Sequence, residues 1–187
     1  LYGSTVSGDT TPLSDVDILI ISDKNLTELE DKYKFPISIE VQPTEGYDKI
    51  YVHNAIKKGE TIYDDGVLDR IRNSKISRED YTKKLDVIQS SLFKLNDERL
   101  FESLTIMDAA HILYSSLRGL EIVEEEICGK INDIGEIEQR ILKGAKELYD
   151  LSKAGQRGAP DVTRKDLKAL RDAIIGKWVN LKIEVDR

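Results

Sequence analysis

Asp15, Asp17, Glu40 and the pair Gly3-Ser4 are the residues of this chain whose types and spacing could do chemistry. The two aspartates sit two apart in Ser14–Ile21, an apolar run that reads as a β-strand. A period of two puts both carboxylates on one strand face and Val16, Ile18 and Ile20 on the other. Like charges this close repel, and near a core they are costly unless a cation or water neutralises them. A divalent ion is the natural remedy, because Mg²⁺ favours a few carboxylates together with substrate phosphate oxygens. Glu40 repeats the logic on the alternating stretch Ile37-Ser38-Ile39-Glu40-Val41-Gln42, opposite the apolar face. A neighbouring strand, parallel or antiparallel, could bring it beside the aspartates. Three carboxylates could then hold two ions about 4 Å apart, an arrangement that activates an attacking oxygen and stabilises a leaving one. Gly3-Ser4 supplies a backbone that a phosphate can approach and a hydroxyl that can donate to it. Gly-Ser alone is explained by a strand-end turn, and Asp-x-Asp alone by solvated aspartates. The three elements in order favour a site.

The elements that must position these residues read as α/β in the first part and all-α in the second. Asn25–Tyr33 has weak helical character, Ile37–Gln42 is the clearest strand, and Pro43 ends it. The spacing predicts a helix over Thr44–Lys58 with Tyr47, Ile50, Tyr51, Ala55 and Ile56 on one side and Gly59 as its stop. Glu60–Tyr63 reads as an edge strand before the turn Asp64-Asp65-Gly66. Beyond it, Ser77-x-x-Asp80 resembles a capping box opening a helix with Tyr81, Leu85, Ile88, Leu92 and Leu95 as its stripe. A long helix is expected from about Asp97 to Glu126 and another from about Asp133 to Lys153. Ala154–Val162 breaks the pattern, and Thr163-x-x-Asp166 caps a last helix carrying Leu167, Leu170, Ile174, Trp178 and Leu181. The fold class is therefore α+β: a small mixed-sheet domain over residues 1–74, then an antiparallel four-helix bundle over residues 75–187.

Composition bounds the function. The 187 residues carry a net charge of −7, and residues 1–74 hold 8 basic against 14 acidic side chains. An acidic front half argues against nucleic acid as a partner and suits a site that gathers divalent cations. Residues 153–182 carry 8 basic and 3 acidic residues and read as a solvated helix face. No run is apolar and long enough for a membrane span. The lone Cys128 cannot form an intrachain disulfide, which fits a cytoplasmic location. Only two histidines, His53 and His111, occur, too few for a His-rich metal site. The chain opens at Leu1 in what reads as mid-strand, so the expected N-terminal domain is truncated.

Gly3-Ser4, ten intervening residues, then Asp15-Val16-Asp17-Ile18, with a later strand carboxylate, resembles the nucleotidyltransferases of the DNA-polymerase-β superfamily. The match extends to Gly8, Pro12 and Ser14 and is similar to the minimal nucleotidyltransferases, the MNT group. The segment Asn54-Ala-Ile-Lys-Lys-Gly-Glu-Thr-Ile-Tyr63 also resembles that family's helix, glycine and short strand. The resemblance covers roughly residues 1–66. It implies binding of ATP or another nucleoside triphosphate with Mg²⁺, two ions, and transfer of a nucleoside monophosphate to an acceptor hydroxyl with release of pyrophosphate. By the same resemblance Asp15 and Asp17 ligate metal, Glu40 completes the triad and helps activate the acceptor, and Gly3 and Ser4 hold the triphosphate. Thr5 and Ser7 stand where the family often has arginines, which leaves phosphate to backbone, hydroxyls and metal.

Relatives of this kind pair with helical HEPN-type bundles, and the second part has a compatible size. The HEPN ribonuclease signature, Arg followed four to six residues later by His, is absent, since neither histidine has such an arginine. His111 reads as a boundary residue, Trp178 and Tyr114 as core, and Glu124-Glu125-Glu126 as a solvated helix end or an acceptor base. The leading expectation is a Mg²⁺-dependent nucleotidyltransferase acting on a protein or small-molecule acceptor, with a homodimer compatible. The alternative is a catalytically silent nucleotide- or partner-binding module of the same fold.

Overall fold

The protein was analysed as a computed structural model that describes residues 1–3, 6, 8, 15–32, 37–158 and 161–187. Ser4, Thr5, Ser7, Pro12 and Ser14 fall outside the described residues. The chain divides into two compact units, Leu1–Asp80 and Tyr81–Arg187. The α+β class expected from sequence is the observed one.

The first unit is built on β1 (Val16–Ile21) and β2 (Ile37–Gln42), joined through α1 (Thr27–Lys32). The two strands run parallel, with Val16 opposite Ile37 and Ile21 opposite Gln42. Tyr2 adds an isolated antiparallel bridge to Asp17 beside this two-stranded parallel sheet, where a mixed sheet was expected. The far strand ends are tied together by Asp23, whose carboxylate accepts from Thr44 N–H at 2.9 Å and from the Thr44 hydroxyl at 2.6 Å. That tie keeps Thr44 out of the following helix. Asp48 caps the helix instead, accepting from Tyr51 N–H at 3.1 Å, so α2 spans Lys49–Lys58 and not the expected Thr44–Lys58. Ile50, Val52 and Ala55 of α2 and Ile71 of α3 (Val67–Arg72) are buried.

Glu60–Tyr63 is not a strand. Glu60 exchanges two backbone hydrogen bonds with Leu1, at 2.9 and 2.8 Å, and there the pairing stops. Asp64 then turns the chain by accepting from Gly66 and Leu68 N–H, leaving Ile62 and Tyr63 exposed. Gly59 makes the Leu1 approach feasible, since a Cβ there would lie 2.4 Å from the Leu1 carbonyl oxygen.

The second unit holds α4 (Arg78–Asn96, begun in the first unit), α5 (Glu98–Ser103), α6 (Ile106–Cys128), α7 (Gln139–Lys153) and α8 (Arg164–Asp186). The four long helices match the expected four, and α6, α7 and α8 pack on one another. Ile88 of α4 packs against Gly119 of α6, and Trp178 Nε1 of α8 donates to the Leu85 carbonyl at 3.0 Å. The Ser77–Asp80 and Thr163–Asp166 caps form as the spacing predicts.

Two boundaries differ. The helix expected over Asp97–Glu126 is interrupted at Leu104, because Thr105 caps a new helix by accepting from Asp108 N–H at 3.0 Å. Arg164 donates to the carbonyls of Phe101 and Leu104, both at 2.7 Å, and so satisfies the end of α5. The helix expected from Asp133 begins at Gln139. Asn132 donates its backbone and side-chain N–H groups to Glu124, at 2.9 and 2.8 Å, which holds the preceding segment as a loop. Among the described residues no helix is long and apolar enough to cross a membrane.

Candidate active site

Asp15 lies one residue before β1 and is 7% exposed, and Asp17 follows two residues later on the same face. The register sets Asp17 opposite Ser38 and Leu19 opposite Glu40. Paired residues of parallel strands share a face, so Asp17, Ser38, Glu40 and Gln42 lie together. Glu40 is one same-face step further along than Asp17.

The N-terminal residues pack onto this face. Tyr2 N–H donates to the Asp17 carbonyl at 3.1 Å, which sets Gly3 against the Asp17 carboxylate. Gly3 has φ +75°, and a Cβ there would lie 2.1 Å from Asp17 Oδ2. Backbone conformation and space both demand glycine. The missing Cβ at Gly3, where a phosphate contact is expected, leaves room for the side chain of Asp17. Ser4, the expected phosphate donor, lies outside the described residues, as do Thr5 and Ser7.

Glu40 is held along its own strand. Gln42 Nε2, on the same strand face, donates to its Oε1 at 2.8 Å. The cap on α2 aims Tyr51 at Tyr2, and the Tyr51 hydroxyl donates to the hydroxyl of Tyr2. The two tyrosine rings meet edge to face, with centroids 5.8 Å apart. Burial pushes the Tyr2 phenol far above its ordinary value, and the negative charges of Glu40, Asp17 and Asp15 push it further. The Tyr51 phenol is raised by burial, then by Tyr2 and Glu40. Both phenols therefore stay protonated, with Tyr51 donating to Tyr2.

Among the described residues, no three His, Cys, Asp or Glu side chains stand close enough to hold a metal ion together. The triad read from the sequence thus shares a face without closing into a cage: Glu40 lies one step beyond Asp17 and accepts from Gln42. The aspartate pair still fits Mg²⁺, which is usually bound by one or two carboxylates plus phosphate oxygens rather than by an all-protein cage. A cavity of about 290 Å³ adjoins β1 and is lined by Ile18, Ile20, Ala55, Ile56 and Tyr2, which also touches the carboxylate cluster.

Sequence reasoning missed Tyr2 and Tyr51, the second being counted only as part of an apolar helix stripe. Two signals could have found Tyr51: the Asp48-x-x-Tyr51 spacing of a cap, and Gln42 two residues from Glu40 on one face.

In the second unit, Trp178 takes the core-facing role expected of it. His111 is half-buried, its ring 5.0 Å from that of Tyr149, and its Nδ1 has no hydrogen-bond partner among the described residues. Glu124 corrects the expectation of a solvated run. It is 6% exposed and accepts from Lys177 Nζ at 2.5 Å. The basic stretch is likewise not a free solvated face. Lys168 pairs with Glu98 and Glu102, Arg171 with Glu98, Lys182 with Asp86, and the Arg171 guanidinium lies 5.1 Å from the Phe101 ring centroid.

Residues 1–88 match the family model described as the nucleotidyltransferase domain. The front of the chain therefore carries a nucleotidyltransferase domain of the polymerase-β superfamily, followed by a helical region. Neither a curated protein nor a solved structure matches the chain.

Proposed function

We propose that this domain is a Mg²⁺-dependent nucleotidyltransferase of the MNT kind. It transfers a nucleoside monophosphate from ATP or another nucleoside triphosphate to a hydroxyl of a protein or small-molecule acceptor. The acceptor oxygen forms a bond to the α-phosphorus, the bond from that phosphorus to the β-phosphate oxygen breaks, and pyrophosphate leaves with the electron pair. The acceptor proton passes to a carboxylate base, for which Glu40 is the candidate. Asp15 and Asp17 hold the metal, which when bound neutralises the triphosphate and the charge developing in transfer. Gly3 keeps the Asp17 carboxylate in place.

The observation that carries this reading is the buried Asp15 and the glycine-backed Asp17 on one strand face, within the segment matching the nucleotidyltransferase domain. Incubation with labelled ATP and Mg²⁺ should label the protein or an acceptor, or release pyrophosphate. Asp17→Asn should abolish this. ATP binding without product, indifferent to Asp17→Asn, would replace it by a second reading, a silent nucleotide-binding module. That reading draws on one feature: Glu40 accepts from Gln42 and is not gathered with the aspartates.

A further inference from the structure

Helix α8 carries two stripes. Its core face runs through buried residues such as Leu167, Ile174 and Leu181. On the opposite side Gly176 stands at the centre of an exposed stripe whose steps alternate between four and three residues. Lys165, Ala169 and Asp172 precede it, and Val179, Ile183 and Asp186 follow. A solvent-facing helix stripe is ordinarily charged and polar. Here Val179 is 41% and Ile183 47% exposed. Glycine is disfavoured against alanine inside a helix, yet no atom lies within 4 Å of where a Cβ at Gly176 would stand. On the neighbouring helix α4, Asp86 pairs with Lys182 of α8 at 3.6 Å. Phe93, two turns further along the same α4 face, is 74% exposed.

We propose that this stripe binds a second copy of the chain, the two α8 helices packing antiparallel about a two-fold axis at Gly176. The stripe is complementary to its own reverse. Turned about Gly176, it sets Lys165 against Asp186, Ala169 against Ile183 and Asp172 against Val179. In a two-fold interface each of these pairings occurs twice. An ammonium thus meets a carboxylate at both ends, and the largest apolar side chain of the stripe meets a methyl group. Gly176 faces its own copy at the crossing point, where a missing side chain lets two backbones approach closely. Alternating steps of four and three keep such helices in register along their length. Asp172 opposite Val179 is the weakest pairing. Its carboxylate accepts from Arg171 Nε at 3.0 Å and is 66% exposed, which keeps it at the solvent edge. Two 23-residue helices in contact over about 35 Å bury less than the about 800 Å² per partner of a standard interface. The dimer is therefore reversible and dissociates on dilution. It uses α8 and does not depend on the nucleotidyltransferase reading.

The test is sedimentation velocity of the full chain from micromolar to sub-millimolar concentration, on wild type and on variants at these exposed positions. The wild type should pass from monomer to dimer as concentration rises. Ile183→Glu should weaken association at least about 10-fold, because it brings a charge into the apolar part of the contact. Lys165→Glu and Asp186→Lys should each weaken it about 5-fold, and the two reversals together should restore it. The two positions lie 21 residues apart on one helix, about 31 Å, so that recovery cannot arise within one copy. Gly176→Ala should weaken association while raising the melting temperature of the dilute monomer. Melting curves verify that every variant folds. A chain that stays monomeric throughout, an Ile183→Glu variant that dimerises like the wild type, or a double reversal as weak as its single variants would overturn the inference.

Discussion

On α6, Ala110, Leu113 and Leu120 have no exposed surface and Leu117 has 3%, whereas every residue of β1 and β2 remains partly exposed. The helical unit hides a full stripe per helix and uses its charges as staples between helices. The front unit has a two-stranded sheet, an arrangement marginal by itself in water, and relies on specific polar ties to define its shape. Asp23 with Thr44, Leu1 with Glu60, Glu40 with Gln42, and Tyr51 with Tyr2 are those ties. A half-exposed, polar sheet face costs stability but leaves carboxylates within reach of a substrate. A sealed apolar stripe does the reverse. The difference separates a surface shaped for chemistry from one shaped for stability.

The sharpest way to break that contrast is a buried charge pair in the helical core. Lys177 and Glu124 are 6% exposed each, with Lys177 Nζ also donating to the Asn132 carbonyl at 2.9 Å. Lys177→Met leaves a buried carboxylate with only the Asn132 donors, and should cost about 3–5 kcal/mol. Trp178, the single tryptophan, sits on the same helix and reports urea unfolding of this unit by fluorescence. A loss below about 1 kcal/mol would mean the pair is solvated. The pH dependence has a definite sign. Hydrogen bonds from Lys177 and Asn132 outweigh burial and lower the Glu124 pKa, so its stabilisation is present above the ordinary carboxylate value. It is lost as pH falls through the depressed folded value.

Gly3→Ala probes the other side. A left-handed backbone costs a non-glycine residue about 1–2 kcal/mol, and the new methyl collides with the Asp17 carboxylate. Misplacing a reacting group by about 1 Å can cost about 10²-fold in rate. Transfer from labelled ATP should therefore fall by at least about 10-fold, while the Trp178 unfolding midpoint stays unchanged. A midpoint that falls with the activity would show the two units sharing one cooperative transition.

These two sites differ also in how far the sequence reveals them. Strand β2 is readable to the residue, because Ile37, Ile39 and Val41 alternate with Ser38, Glu40 and Gln42. The caps at Ser77 and Thr163 are local, three-residue signals and read equally well. Thr105-x-x-Asp108 carries the same signal, but the apolar spacing running from Leu104 through Met107 hides the break. Pairing across the chain is another matter. Lys177 and Glu124 are 53 residues apart, so within an acidic triplet nothing distinguishes the buried glutamate. Tyr2 and Tyr51 are 49 apart, and their hydroxyls meet only once the sheet and α2 have formed. That Asp15 and Asp17 share one strand face, and Glu40 and Gln42 another position on it, was legible because strand alternation is local. The meeting of Tyr51 with Tyr2 was not.

A smaller effect is expected at the start of α8. Thr163 accepts from Asp166 N–H at 3.2 Å, and the Asp166 carboxylate accepts in return from Thr163 N–H at 2.8 Å. Thr163→Ala should cost about 1 kcal/mol in the same fluorescence assay. The Asp166 link to Arg140 at 3.2 Å is exposed and should add little. If the charge staples and not the caps organised this unit, Thr163→Ala would be silent and Arg140→Ala would not.

The smallest effect should come from His111, where the helical unit carries its own partly buried polar group. Burial lowers the His111 pKa, the nearby Lys153 lowers it further, and Asp108 opposes both. Its ring lies against Tyr149, which in turn meets Tyr114 at 5.2 Å, while burial raises the Tyr114 phenol to about 12. The folded state thus takes up the imidazole proton less readily than the unfolded chain. The unfolded state binds that proton first as pH drops below the ordinary histidine value, so stability declines from there down to the depressed folded value and then levels. Above the ordinary value His111 adds no slope. Unfolding of His111→Phe, followed by Trp178 fluorescence between about pH 7 and 5, should lose this part of the decline. An unchanged slope would assign the acid sensitivity of the helical unit to its carboxylates alone, Glu124 first among them.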